Sequence, residues 1–199
     1  MISCTGKSEK NKESEGASRD SAPTTNSEFY INTIDNERLA SISLTGERSL
    51  LTIGTKSYWG TLKTTEKRKY YDANDELAYI IKYGEAGFKL KDENDQLRWK
   101  VKLTDEYIKI ANNEEMENTY RVSRSSKGKI KVKQHDKELA VIPFVPNNHS
   151  IEIGKRYYLI NFGHSLAIGV MMLEDMPLLE RFLLSAEILR LVKLSSFME

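Results

Sequence analysis

Asp72-Ala73-Asn74-Asp75-Glu76-Leu77 is answered twenty residues on by Asp92-Glu93-Asn94-Asp95-Gln96-Leu97. The spacing continues through Asn112-Asn113-Glu114 to Gln134-His135-Asp136-Lys137-Glu138-Leu139, at intervals of 20, 20 and 22 residues. Short strand-like stretches precede each cluster: Tyr70-Tyr71, Phe88-Lys89-Leu90, Ile108-Lys109-Ile110 and Ile130-Lys131-Val132. Leu77-Ala78-Tyr79, Leu97-Arg98-Trp99 and Leu139-Ala140-Val141 follow three of them, with Tyr120-Arg121-Val122 in that place in the third, degenerate copy. One turn per period near twenty means one β-hairpin per repeat. Asn and Asp at the tips tolerate the positive φ of tight turns. Four successive antiparallel hairpins are therefore predicted over 70–83, 88–103, 107–122 and 130–142.

The alternation fixes the faces. Leu97, Trp99, Val101 and Leu103 share one side, and Arg98, Lys100 and Lys102 the other, the period-2 pattern of a half-buried antiparallel strand. Trp99 and Leu97 are expected inward and Lys100 outward. Further strands are read at 38–44, 49–54, 57–63, 151–153 and 156–162. The expected fold is mainly β: an antiparallel meander of about ten to twelve strands, in a barrel or strongly curved sheet, with one C-terminal amphipathic helix packed on or in it. That helix is read at 177–194, where Leu178, Leu179, Phe182, Leu183, Ala186, Leu189 and Val192 recur at helical spacing. Asp175 is a candidate cap and Pro177 suits the first turn. The apolar run Leu166–Leu173 reads as a buried strand or the start of a buried helix. Glu180, Arg181, Glu187 and Arg190 favour a helix lying across a face or mouth of the sheet over one fully enclosed.

Composition sets the limits. The chain has 199 residues with 30 Lys and Arg against 29 Asp and Glu, a net charge of +1. That suits one domain and argues against a strongly basic nucleic-acid binder. One cysteine excludes an intramolecular disulfide, and no apolar stretch is long enough for a transmembrane helix. Residues 1–28 hold no large apolar side chain after Ile2, and their four basic and five acidic residues nearly cancel. They are expected to form a disordered polar tether, leaving 29–199 as a single domain.

Met1-Ile2-Ser3-Cys4, with the only cysteine of the chain heading that tether, resembles the end of a bacterial lipoprotein signal. The resemblance implies lipid attachment at Cys4 and a translation start upstream of Met1, because the sequence lacks the basic and apolar leader of that family. With Thr5 and Gly6 following, it implies sorting to the outer membrane in a two-membraned bacterium. The alternative is a solvent-exposed cysteine in a cytoplasmic chain. The Lys-striped hairpins, the D-x-N-D-x-L turns and the apolar C-terminal helix of residues 38–194 resemble the tubby/LURP-one/scramblase-like group. That likeness implies a closed barrel of about twelve antiparallel strands around a buried helix, and a contact with membrane phospholipid.

Catalytic chemistry is not legible. Asp72/Asn74/Asp75 and Asp92/Asn94/Asp95 are oxygen-rich, but they lack the glycine and bidentate Glu of a calcium loop and read as hairpin turns. His135, His149 and His164 have no ligand spacing. Ser150 and Ser165 adjoin histidines outside any nucleophile elbow, and Gly84-x-x-Gly87 is a turn. No cofactor or metal is expected, and no enzyme. Tyr58, Trp59, Tyr70, Tyr71, Tyr79, Tyr83, Phe88 and Trp99 read as core aromatics, with a ligand cavity as the alternative. The basic stripe stands out: Lys89, Lys91, Arg98, Lys100, Lys102, Lys109, Lys129, Lys131 and Lys133 all fall on the predicted solvent face. The acids Asp92, Glu93, Asp95, Asp105, Glu106, Glu114 and Glu115 gather in turns. Such a face suits anionic headgroups, or serves only solubility and edge protection. Two functions follow as expectations: a non-catalytic, lipid-anchored envelope protein with a binding or structural role, or a soluble module contacting anionic phospholipid through its Lys-rich face.

Overall fold

The computed structural model describes residues 27–45, 47–143, 150–153, 156–161 and 165–196. Cys4, His149 and His164 lie outside them. Fourteen strands form one antiparallel sheet: β1 (Ser27–Thr33), β2 (Arg38–Thr45), β3 (Arg48–Ile53), β4 (Lys56–Thr64), β5 (Lys67–Tyr71), β6 (Leu77–Gly84), β7 (Gly87–Asp92), β8 (Leu97–Leu103), β9 (Tyr107–Ala111), β10 (Tyr120–Arg124), β11 (Ile130–Gln134), β12 (Lys137–Ile142), β13 (Ser150–Ile153) and β14 (Arg156–Ile160). β1 to β12 run as an unbroken meander, and the β13–β14 hairpin joins β1 through β14. The sheet is not closed: β12 and β13 are its edges among the described residues. The four repeat hairpins are β5–β6, β7–β8, β9–β10 and β11–β12. The meander itself has twelve strands, as expected. The one strand not read from the sequence, β1, opens on the polar Ser27 and Glu28, at the end of the segment read as tether.

Turn chemistry explains the repeat. Asp72 Oδ1 accepts the Asn74 and Glu76 amides at 2.9 and 3.0 Å, and Asp92 Oδ1 accepts those of Asn94 and Gln96 at 3.0 and 2.9 Å. Asp75 and Asp95 then take φ of 65° and 63°, the left-handed region that Asn and Asp tolerate. In β8, Trp99 and Val101 are buried and Lys100 points outward as expected, but Leu97 is not inward: a register shift at Arg98 sets it opposite Lys91, half-buried on the outer face.

Fourteen strands at about 4.8 Å would make a flat sheet roughly 60 Å wide, against a helix about 10 Å across. Yet a single core joins Phe29 and Ile31 of β1, Ile142 of β12 and Ile160 of β14 with both helices. The sheet therefore curls around the helices, helped by register shifts in the β1–β2, β4–β5, β5–β6, β7–β8 and β11–β12 pairs. The apolar run resolves into α1 (Ala167–Val170), whose Gly169 sits so close to Val122 and Val132 that a Cβ would strike Val122.

The second helix, α2 (Leu178–Ser196), corrects the amphipathic reading. Every residue from Phe182 to Leu189 is buried, so α2 is enclosed rather than laid across a face. Leu178, expected in the packed stripe, is 50% exposed. Asp175 accepts the Tyr120 hydroxyl at 3.2 Å, while the Pro177 carbonyl accepts the Arg181 amide at 3.0 Å.

Candidate anion-binding face

The helix charges are buried because the sheet supplies their partners. Glu187 receives the Tyr70 hydroxyl at 2.6 Å, the Tyr83 hydroxyl at 2.7 Å and Arg190 Nε at 2.9 Å, with Arg68 Nε at 3.4 Å. Arg68, 1% exposed, also donates to the Glu47 carbonyl at 3.0 Å and to Ser49 Oγ at 3.3 Å. Burial, reinforced by the Glu187 carboxylate, pushes the Tyr70 and Tyr83 phenols well above their ordinary range. Two turns away on α2, Glu180 receives the Trp99 indole N–H, Arg98 Nε at 3.0 Å and the Tyr79 hydroxyl at 3.3 Å. Arg181 ties the carbonyls of Met171, Glu174 and Met176 together. Among the described residues no buried side-chain donor or acceptor lacks a partner. This network holds α2 to the sheet.

The aromatic cluster divides between the faces. Tyr70, Phe88 and Trp99 are core, and Tyr58, Tyr79 and Tyr83 pack against it. Trp59 and Tyr71 lie on the outer face.

On that face, strand pairing assembles two rows that no linear reading shows. Lys67, Lys82, Lys89 and Lys100 stand directly opposite one another across β5 to β8. Lys102, Lys109, Arg121 and Lys133 do the same across β8 to β11. At about 4.8 Å per strand each row places four cations within about 15 Å. Like charges directly opposite destabilise a sheet.

The turns treat the rows differently. Glu114 reaches Lys89 at 2.6 Å and Lys100 at 3.0 Å, and Asp95 reaches Lys82 at 2.9 Å and Lys91 at 3.0 Å. Those lysines hold both carboxyls below the usual range, Asp95 at about 2. The expected segregation of acidic turns from basic strands is thus corrected for the first row, because a turn carboxylate sits within reach of long lysine stems at the strand ends. In the second row none of the four cations has a carboxylate partner among the described residues. Arg121 lies 4.2 Å and Lys109 5.6 Å from the centre of the Tyr107 ring instead.

Of the stripe residues, Lys102, Lys109 and Lys133 form the open row, and Lys89, Lys91 and Lys100 are held by turn acids. Lys131 pairs with Glu138 at 2.9 Å, and Arg98 turns to the helix carboxylate Glu180. Lys129 is exposed in the turn before β11. Lys67, Lys82 and Arg121 were missed. Arg121 sits at an outward position of the degenerate copy, and only register brings it into line.

A cavity of about 800 Å³ opens between the β8–β9 and β10–β11 turns and the helix ends, lined by Ile108, Arg121, Ser123, Leu166 and Val192 together with Asp105 and Glu106. No His or Cys lines it. Among the described residues no three His, Cys, Asp or Glu side chains converge as metal ligands, and no helix is long and apolar enough to cross a membrane. Comparison with family models, with curated proteins and with solved structures finds no match to this chain.

Proposed function

We propose that this chain is a non-catalytic module that docks on anionic phospholipid surfaces through the outer face of its curled sheet. The observation that carries this reading is the Lys102–Lys109–Arg121–Lys133 row, four aligned cations without carboxylate partners among the described residues. A row of like charges works against the stability of the sheet and favours an external polyanion. Acylation at Cys4, in an envelope protein, is compatible with this reading and would add the second membrane signal that stable anchoring needs.

The test is co-sedimentation of the full chain carrying Cys4→Ser with neutral phosphatidylcholine vesicles and with vesicles containing phosphatidylglycerol. Binding is expected only with the anionic lipid and fades as salt shortens the screening length. Each basic residue near such a surface contributes about 1 kcal/mol, so Lys102→Ala with Lys133→Ala weakens binding roughly 30-fold. Equal binding to neutral vesicles, or none to either, overturns the reading.

A further inference from the structure

A different row occupies the outer face at β3 to β6. Leu50 lies opposite Trp59, Trp59 opposite Tyr71, and Tyr71 opposite Leu77. The inward positions confirm the direction. Ser49, Leu51, Gly60 and Tyr70 beside them are buried, and a Cβ on Gly60 would meet Ser49 and Tyr70. Leu50 is 45% exposed, and Trp59, Tyr71 and Leu77 are half-buried on the side that elsewhere carries lysines. Four adjacent strands thus put an unbroken apolar and aromatic ladder on the outside of the sheet, where a cross-strand position facing water is ordinarily polar.

The surroundings of the ladder select its partner. β3 to β6 contain no Asp or Glu, and their charged residues are Arg48, Lys56, Lys63, Lys67, Arg68, Lys69 and Lys82; acids adjoin the ladder only at its Tyr71–Leu77 end, in the Asp72–Glu76 turn, where Asp72 Oδ1 accepts the Asn74 and Glu76 amides. Lys63 Nζ stands 5.4 Å over the Tyr71 ring. Two amphipathic rings and a leucine at each end, fringed by lysines, match the boundary layer of a bilayer: Trp and Tyr settle at headgroup depth, and lysines meet the phosphates. We infer that Leu50, Trp59, Tyr71 and Leu77 form an insertion patch that enters the interfacial layer of a phospholipid bilayer. The inference rests on the membrane reading above for its setting, but on separate strands and separate residues for its evidence. The cationic row brings the surface close from a distance. The aromatic ladder supplies a short-range contact that salt does not screen.

Trp59 reports on the patch directly, since the other tryptophan, Trp99, is buried and hydrogen-bonded to Glu180. The full chain carrying Cys4→Ser is mixed with phosphatidylglycerol vesicles whose partner lipid is phosphatidylcholine, with or without bromine on the upper acyl chain. Brominated lipid is expected to quench part of the tryptophan emission. Trp59→Phe, which keeps an aromatic ring at an outer position, should abolish that quenching while its circular dichroism stays unchanged. Leu50→Ser with Trp59→Ser should weaken vesicle binding roughly tenfold, with the salt dependence intact. Binding without bromine quenching overturns the insertion patch and leaves the cationic docking standing. Quenching that is equal on neutral vesicles and indifferent to salt supports the patch and overturns the cationic docking. Binding to no vesicle overturns both. Trp59 shielding that rises with protein concentration in the absence of lipid assigns the ladder to a second copy of the chain, and also overturns the patch.

Discussion

The inner and outer faces of one sheet both carry charge, and they treat it in opposite ways. Inside, Arg68 and Glu187 are each 1% exposed, and tyrosine, serine and backbone groups surround them until every polar atom has a partner. Outside, eight cations stand in two rows, of which, among the described residues, turn carboxylates hold three members of the first and none of the second. Buried charge has no water to fall back on and must be matched within the chain. Exposed charge is free to be matched by something else. The difference separates groups that hold the fold from groups open to a partner.

Removing the inner match should have the largest effect. Glu187→Ala leaves the Arg68 guanidinium buried without its carboxylate, a change of the kind that costs about 3–5 kcal/mol. Urea denaturation should show the loss in the midpoint, and a shift below 1 kcal/mol would mean that water or a shifted side chain replaces the carboxylate. On the outer face the sign reverses. Glu114→Gln removes the one carboxylate that serves Lys89 and Lys100, at a small cost in sheet stability, and one unit of charge near an anionic surface at about 1 kcal/mol should tighten vesicle binding roughly fivefold. Unchanged binding would place the first row away from the lipid. The smallest effect is in acid. Lys82 and Lys91 hold the folded-state pKa of Asp95 at about 2, below the ordinary carboxyl value. A depressed folded-state pKa stabilises the fold above the unfolded-state pKa, and the effect is lost as pH falls through the folded one. The gap in urea midpoint between the wild type and Asp95→Asn should therefore be constant from pH 7 to about 5 and close between about 4 and 2. A gap that persists at pH 2 would assign it to the turn backbone rather than to the ion pair. Asn tolerates the positive φ at this position, so the comparison isolates the charge.

Much of this contrast was legible in one dimension, and some was not. The alternation around Trp99 placed Trp99, Lys100 and Val101 correctly because burial of one face forbids a one-residue slip, and it failed at Leu97, where a bulge shifts the pairing. The same rule put Lys102, Lys109 and Lys133 outside. It said nothing of which cations stand opposite one another, so Arg121 in the degenerate copy and Lys67 and Lys82 in the first row were passed over. Trp59 was grouped with the core aromatics because aromatic residues usually fill cores. Its alternation partner, the buried Gly60, shows that it faces out.

Sequence by itself determined the hairpins, their turn tips and the facing of most strands, since these depend on residues close in the chain: an Asp side chain two to four residues from the amides it accepts, a period of two, a left-handed position that Asn and Asp tolerate. Tertiary structure alone decided that α2 is enclosed. The charges at Glu180 and Glu187 argued for an exposed helix only while their partners, more than 80 residues away in Arg98, Trp99, Tyr70 and Tyr83, were unknown. It also decided the two outer rows and the aromatic ladder. Each is a line drawn across strands, and which residues meet on it depends on the pairing register, including the bulges in the β4–β5, β5–β6 and β7–β8 pairs that the sequence does not mark.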